Sequence, residues 1–297
     1  MDGFLVIDKP MGVTSSACVA RVRRRLGRNT PVGHGGTLDP MATGVLPVCV
    51  GAATRLFDYI IDKKKTYVAE LRLGVETDTQ DATGAPVRTC AVEVGENAVR
   101  AALRPFVGEI LQTPPMYSAI KRNGERMYDL ARRGERVELA PRPCRVDDIR
   151  LVRALAPDRY ELEVDCGKGV YIRTLCHDIG ALLGCGGHMA ALRRTRAGAF
   201  CLEGALSLEE VDEMDAAALA ARLTPMDAAV GHLPAVRVAQ DRRGAVLNGS
   251  PLPQAWLDAP APRDKPVRVY VGSDFAGMGQ AREDGSVRFL CMLLRRG

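Results

Sequence analysis

The chain has 297 residues, 46% of them hydrophobic and 26% charged, with a formal net charge of +5. That length holds one large domain and a small one, and the composition excludes disordered, fibrous and membrane-spanning classes. No apolar run reaches the roughly 20 residues that cross a bilayer, and Met1-Asp2-Gly3-Phe4 lacks the basic start of a signal peptide, so a cytoplasmic location is expected.

Gly3 to Asp8 reads as a short apolar strand, turned by Lys9-Pro10-Met11-Gly12. A helix is predicted from Ser15 or Ser16, with Thr14 and Ser15 as cap residues. Val19, Val22 and Leu26 line one face at helical spacing, and Gly27 and Asn29 end it.

The helix leads into Gly33-His34-Gly35-Gly36-Thr37-Leu38-Asp39-Pro40, continuing to Pro47. This stretch is rich in Gly, Pro and Thr and is expected to be irregular throughout. The apolar run Val45 to Val50 anchors it to core. Glycines 33, 35 and 36 let the backbone approach a bulky ligand. Asp39 precedes Pro40, which biases it towards an extended conformation. Two readings stand at this point: a turn-forming Asp, or a carboxylate placed for chemistry. The loop is not a P-loop, and Leu38 occupies the place of the last glycine in a dinucleotide fingerprint.

Thr54 to Ile61 is predicted helical and Thr66 to Leu73 a strand whose period places Tyr67, Ala69, Leu71 and Leu73 on one face. Thr77 to Gly84 reads as a polar loop, Asn97 to Phe106 as a helix, Gln112 to Ala119 as irregular, and Glu125 to Arg133 as a helix. Arg150 to Ala154 and Tyr160 to Cys166 form a hairpin with one wet face. A helix follows from Tyr171 to Leu183, with Arg173 at the end that cations avoid, so a nearby anion is expected. Met189 to Phe200 returns to the sheet, and Leu206 to Leu223 is predicted as one Ala-rich helix. Composition shifts near Gly231, beyond which short apolar runs at 236–238, 267–271, 275–280 and 287–294 suggest a small β-rich unit.

Nine cysteines, an odd number with no C-x-x-C pair, do not form a disulfide framework. Cys166, Cys176, His177, Cys185 and His188 are the candidate zinc ligands. Cys185-Gly-Gly-His188 could supply half, but the other half lacks close ligand spacing, so no metal is expected. Arg and Lys cluster at 21–28, 121–136 and 193–196, and nucleic acid is the most economical partner for several basic patches.

Gly33 to Pro47 resembles the active-site segment of the TruB family of tRNA pseudouridine synthases. Further matches occur in order at Leu5-Val6-Ile7-Asp8-Lys9-Pro10, Lys65-Thr66-Tyr67, Thr77-Asp78-Thr79, Pro115-Met116-Tyr117-Ser118-Ala119, Tyr171-Ile172-Arg173-Thr174 and Leu192-Arg193-Arg194-Thr195. They span about two-thirds of the chain. The resemblance implies an α+β pseudouridine-synthase fold: a mixed, mainly antiparallel sheet flanked by helices over residues 1–230, and a PUA-like RNA-binding domain over 231–297. It implies isomerisation of uridine to pseudouridine in the T loop of tRNA, position 55, with no cofactor or metal, by a protein expected to be monomeric. It makes Asp39 the nucleophile, with Tyr67 and Arg173 as its catalytic partners and Tyr171 and Leu192 as walls of the uridine pocket. His34 would occupy space vacated when the base flips out. Lys9 and Pro10 would support the site from behind.

A non-catalytic tRNA-binding or folding protein would have lost Asp39, Tyr67 or Arg173, and all three are present. A nucleosidase would need an activated water, for which no base or metal is evident. Activity should therefore survive EDTA; a loss restored by zinc would overturn the reading of Cys185 and His188.

Overall fold

The computed structural model describes residues 1–61, 64–115, 121–122, 125–126, 133 and 139–294. Among these, a nine-stranded sheet organises the first two-thirds of the chain. Its strands run in the spatial order Gly3–Lys9, Thr43–Val50, Gly187–Ala197, Lys65–Leu73, Arg159–Cys166, Arg142–Ala156 and Gly108–Gln112. Val32–His34 pairs alongside Thr43–Val50, and Phe200–Cys201 alongside Gly187–Ala197. All pairings are antiparallel except that between Thr43–Val50 and Gly187–Ala197.

Alternation decides which face is covered. Tyr67, Ala69, Leu71 and Leu73 are buried, as are Tyr160, Leu162, Val164 and Cys166 on the neighbouring strand. The helices Ser15–Leu26, Glu96–Leu103 and Ile172–Leu182 contribute Val19, Val22, Val99, Leu103, Leu175 and Ile179 to the same core. The intervening residues face water and pair across strands as Arg150 with Glu163, Arg153 with Glu161, and Arg159 with Glu70.

A second sheet runs Ala235–Val238, Val267–Val271, Asp274–Ala281 and Val287–Met292. It encloses Val236, Val238, Val246, Val267 and Val269. Its Met278 and Cys291, with Leu293 just beyond, also join an apolar cluster with Phe4, Leu56 and Phe200 of the first two-thirds.

Three expectations need correction. The segment 33–47 is not irregular throughout: both flanks are strands, and only about 35–42 lies between them. Thr43–Val50 can begin so early because Gly44, at φ +100°, lies against the Arg194 backbone where a Cβ would meet a carbonyl oxygen at 2.2 Å. Residues 206–223 form two helices, Leu208–Glu213 and Ala216–Ala221. Met214 is extended and Asp215 caps the second helix by accepting from the Ala218 N–H, 2.8 Å. Glu125–Arg126 pairs as strand with Lys121–Arg122 rather than starting a helix; the rest of that predicted helix lies almost wholly outside the described residues.

Thr14 caps the first helix as expected, accepting from the Ala17 N–H at 3.1 Å. Ser15 does something else. Its buried hydroxyl donates to the Leu38 carbonyl (3.0 Å) and accepts from the Leu38 N–H (2.9 Å), tying the helix start to the residue before Asp39. Ser15→Ala should cost about 1–3 kcal/mol, the penalty for leaving buried backbone groups unpaired. Urea denaturation would check it, and a loss under a few tenths of a kcal/mol would show that water replaces the hydroxyl.

Candidate active site

Asp39 sits on the irregular stretch between the strands Val32–His34 and Thr43–Val50. With few hydrogen bonds of its own, that stretch is held by side chains from elsewhere. Ser15 takes both backbone groups of Leu38. Lys9, fully buried, donates to the carbonyls of Pro10 (2.9 Å), Val13 (2.6 Å) and Pro40 (3.1 Å). Arg194, at 1% exposure, donates to Val45 (2.7 Å), Gly36 (3.2 Å) and Thr37 (3.4 Å). Lys9 has the supporting place expected of it. Arg194 belongs to the basic run at 193–196 but does not join a basic surface patch: of the pair, only its neighbour Arg193, paired with Asp8 at 2.7 Å, is substantially exposed.

The anion expected near Arg173 is present twice. Its Nε lies 3.0 Å from Asp39 Oδ2, and its Nη1 lies 3.5 Å from Asp81 Oδ2. Sequence reasoning missed Asp81. Its other oxygen accepts from the hydroxyls of Thr79 (2.8 Å) and Thr83 (2.5 Å) and from the Thr83 N–H (2.9 Å). Those donors aim the free oxygen at Arg173. The preceding residue, Gln80, has φ +63°, the one positive value outside glycine among the described residues. Its side chain accepts from Thr174 Oγ1 at 2.9 Å, which joins this loop to the Arg173 helix.

Asp39 and Arg173 open onto a cleft of about 560 Å³ that Tyr67, Tyr171, Leu192 and Arg194 also line. The volume is that of a small-ligand pocket. Tyr67 is nearly buried, and burial raises its phenol above the usual value, against a lowering by Arg194. Gln112, also unforeseen, is buried on the edge strand. Its Oε1 accepts from the Tyr171 N–H (2.9 Å) and its Nε2 donates to the Tyr171 carbonyl (3.2 Å), so the residue before the Arg173 helix is held at both backbone groups. His34 is not among the cleft-lining residues; it lies on the short strand before the loop, and its buried Nδ1 has no protein hydrogen-bond partner among the described residues.

Among the described residues no three His, Cys, Asp or Glu side chains converge as metal ligands. Burial pushes the Cys166 and Cys176 thiols up to about 12, which keeps them protonated rather than thiolate. His188 Nδ1 is taken by the Val75 carbonyl at 2.7 Å.

Family profiles match in three consecutive blocks: the TruB family pseudouridylate synthase N-terminal domain over residues 23–172, a tRNA pseudouridylate synthase B C-terminal domain over 173–231, and a pseudouridine synthase II TruB C-terminal domain over 234–288. The chain is 43% identical to a tRNA pseudouridine synthase B of Aromatoleum aromaticum, covering 97% of this chain and 91% of that one. It is 42% identical to the Clostridium kluyveri protein of the same name, over 95% of this chain and 96% of that one. The chain belongs to the TruB family.

Solved structures place the TruB fold in a wider setting. A chain of an H/ACA ribonucleoprotein bound to a substrate RNA containing 2'-deoxyuridine matches with a TM-score of 0.74 at 27% identity, covering 99% of this chain and 86% of that one. A chain of a Cbf5-Nop10-Gar1 complex matches at 0.71 and 30% identity, covering 94% and 78%. The mixed sheet with flanking helices and the added C-terminal segment are therefore those of pseudouridine synthases.

Within this TruB site the charge state of Asp39 is set by a contest. Burial raises its carboxyl above the usual value, Arg173 opposes that, and Asp81 adds to the rise. The net direction is up although the side chain keeps 37% exposure. Folding thus favours the protonated form. The stabilisation is complete below the unfolded-state value and is lost as pH rises through the folded one, so ionised Asp39 is a cost at neutral pH. Asp39→Asn should melt no lower than wild type at pH 7, with any gain shrinking towards pH 3–4. Calorimetry at both values would test this; a melting point several degrees below wild type at pH 7 contradicts it.

Proposed function

We propose that this protein isomerises uridine to pseudouridine in tRNA, at position 55 of the T arm, with Asp39 as the reacting carboxylate. The observation that carries the reading is the Asp39–Arg173 pair, 3.0 Å apart at a cleft that Tyr67 and Tyr171 line. The tRNA pseudouridine synthase B names of its relatives support the substrate class.

The reaction breaks N1–C1′, turns the base and joins C5 to C1′. The C5 proton leaves and N1 gains one, so no group or electron is imported. One ionised carboxylate beside a fixed cation suits this. Asp39 could attack C1′ or C6, or stabilise positive charge developing at C1′. Arg173 holds the carboxylate in place and favours its charged form. Tyr67 offers a ring to stack on the uracil and a hydroxyl for proton handling. Tyr171 and Leu192 wall the base. A nucleotide in a folded loop must be extruded to reach this depth, at a cost of about a few kcal/mol in lost stacking. His34, outside the wall of the cleft, would act on the rest of the loop, in the space the flipped base vacates.

The same reading divides the chain at residue 231. Residues 1–230 carry every side chain assigned to chemistry, and 231–297 dock RNA. The separate four-stranded sheet and its own apolar core support that division. The shared cluster around Phe4 and Met278 means that cutting there uncovers apolar surface.

The direct test incubates purified protein with an unmodified tRNA transcript, without cofactor or added metal, and maps pseudouridine chemically. Wild type should convert one T-arm uridine with RNA mass unchanged. Asp39→Asn should abolish conversion while tRNA binding persists. Near wild-type turnover by that variant, with deamidation to Asp excluded by mass spectrometry, removes Asp39 from the mechanism. Release of free uracil would identify a nucleosidase instead.

A further inference from the structure

Arg194 is the bulkiest fully buried side chain among the described residues. Its place in the sheet is unusual. On one side its strand pairs in parallel with Thr43–Val50, with Arg194 opposite Gly44, where the Asp39 loop re-enters the sheet. On the other side it pairs antiparallel with Lys65–Leu73, with Arg194 opposite Tyr67. Directly opposed residues on neighbouring strands bring their side chains together on one face, and both of these line the cleft. The guanidinium turns back to take carbonyls from both ends of the loop: Gly36 and Thr37 before Asp39, and Val45 after it.

No carboxylate among the described residues forms an ion pair with it, whereas Arg193 next door pairs with Asp8. A buried cation without a counter-ion is costly, and a hydrocarbon of similar volume would fill the space more cheaply. A hydrocarbon could not do the rest. Arginine carries donors only. Any hydrogen bond it forms with the Tyr67 hydroxyl must therefore be accepted by the phenol oxygen. The phenolic proton is then left to point elsewhere, and the cleft is the open direction.

We propose that Arg194 is a positioning residue for the isomerisation, a buried guanidinium that fixes both ends of the Asp39 loop and turns the Tyr67 hydroxyl into a hydrogen-bond donor aimed at the base. This rests on the site's reading as a pseudouridine synthase centre. Tyr67 then donates a hydrogen bond to the negative charge gathering on the uracil as N1–C1′ breaks, keeps its own proton, and does not start as a base. The net positive charge of Arg194 eases that build-up in a site of low dielectric. Burial, which keeps the phenol neutral, acts in the same sense.

The test uses full-length Arg194→Met and Arg194→Lys with two readouts. In single turnover on unmodified tRNA transcript at saturating enzyme, folded Arg194→Met should react at least about 100-fold more slowly, the scale of a reacting group displaced by about 1 Å. Its affinity for tRNA should stay close to wild type. A rate within a few-fold of wild type overturns the proposal. If Arg194→Met does not fold, Arg194→Lys decides: it keeps the charge but cannot span the three carbonyls that Arg194 reaches, and should react about tenfold or more slowly, by the same misplacement argument. An unchanged rate there is equally fatal. The second readout needs no substrate. In free protein labelled with 13Cζ-tyrosine, the Tyr67 resonance, assigned by Tyr67→Phe, should move in Arg194→Lys more than those of the other tyrosines. A Tyr67 resonance that stays put refutes the link. Should wild type make no pseudouridine, the functional reading falls, and the resonance still decides whether Arg194 governs Tyr67.

Discussion

Arg173 is one buried cation serving two carboxylates, and the rest of the site is arranged around that sharing. Its helix begins at Ile172, so it projects from a helix N-terminus, where a positive charge is disfavoured. Asp39 and Asp81 on either side remove that penalty. Asp81 is the fixed member: three donors saturate its far oxygen, and the Gln80–Thr174 hydrogen bond holds its loop to the Arg173 helix. Asp39 is the member left with an open edge to the cleft. The asymmetry matters because a guanidinium with one fixed partner keeps its orientation whatever the other partner does. Two equally free carboxylates would let it swing.

The loop carrying Asp39 illustrates a second constraint. A stretch that must bend closely around a substrate cannot satisfy its own backbone, and buried carbonyls need donors from elsewhere. Lysine and arginine are well suited to this, since they bring several donors to one point. Lys9 and Arg194 do so from two different strands, and Ser15, with its single hydroxyl donor, takes the Leu38 carbonyl from a helix. The positive charges they bring are not incidental. They surround a carboxylate that burial alone would push towards its neutral form, and Lys9 is among the groups that oppose this rise. Lys9 thus both shapes the loop and favours the ionised carboxylate.

Much of this was legible in the sequence, and the exceptions share a cause. Asp39 stood out because glycines and prolines isolate it before an apolar run; period two puts Tyr67 on the covered face of its strand, where it reads as a core tyrosine, and only the family resemblance singled it out. Arg173 drew notice by being at the wrong helix end. Asp81, Gln112 and Arg194 did not stand out. Asp81 lies in a polar loop where an Asp reads as a turn former. Gln112 ends an edge strand, where a polar residue is expected. Arg194 lies in a basic run, and a string of charges conceals which member turns inward; only its strand period, opposite Tyr67, could have exposed it. The helix predicted over 206–223 failed for a related reason. Its Ala-rich pattern is continuous, while the break at Met214 and Asp215 is made by capping, which Asp215 ahead of an alanine run does signal.

Net charge takes on meaning once such residues are located. A surplus of +5 over 297 residues says little about where RNA would lie. On the water-facing side of the sheet, arginines of the strands Arg142–Ala156 and Arg159–Cys166 are spent against Glu163, Glu161 and Glu70. Each of these arginines has a carboxylate beside it there. The cleft side differs: Lys65, Arg142 and Lys168 line the opening, with Arg173 and Arg194 deeper in. An approaching polyanion therefore meets positive charge at the cleft and cancelled charge behind it. Because surface attraction decays over a Debye length of about 8 Å at physiological salt, this local contrast, and not the total, is what a polyanion near the surface responds to.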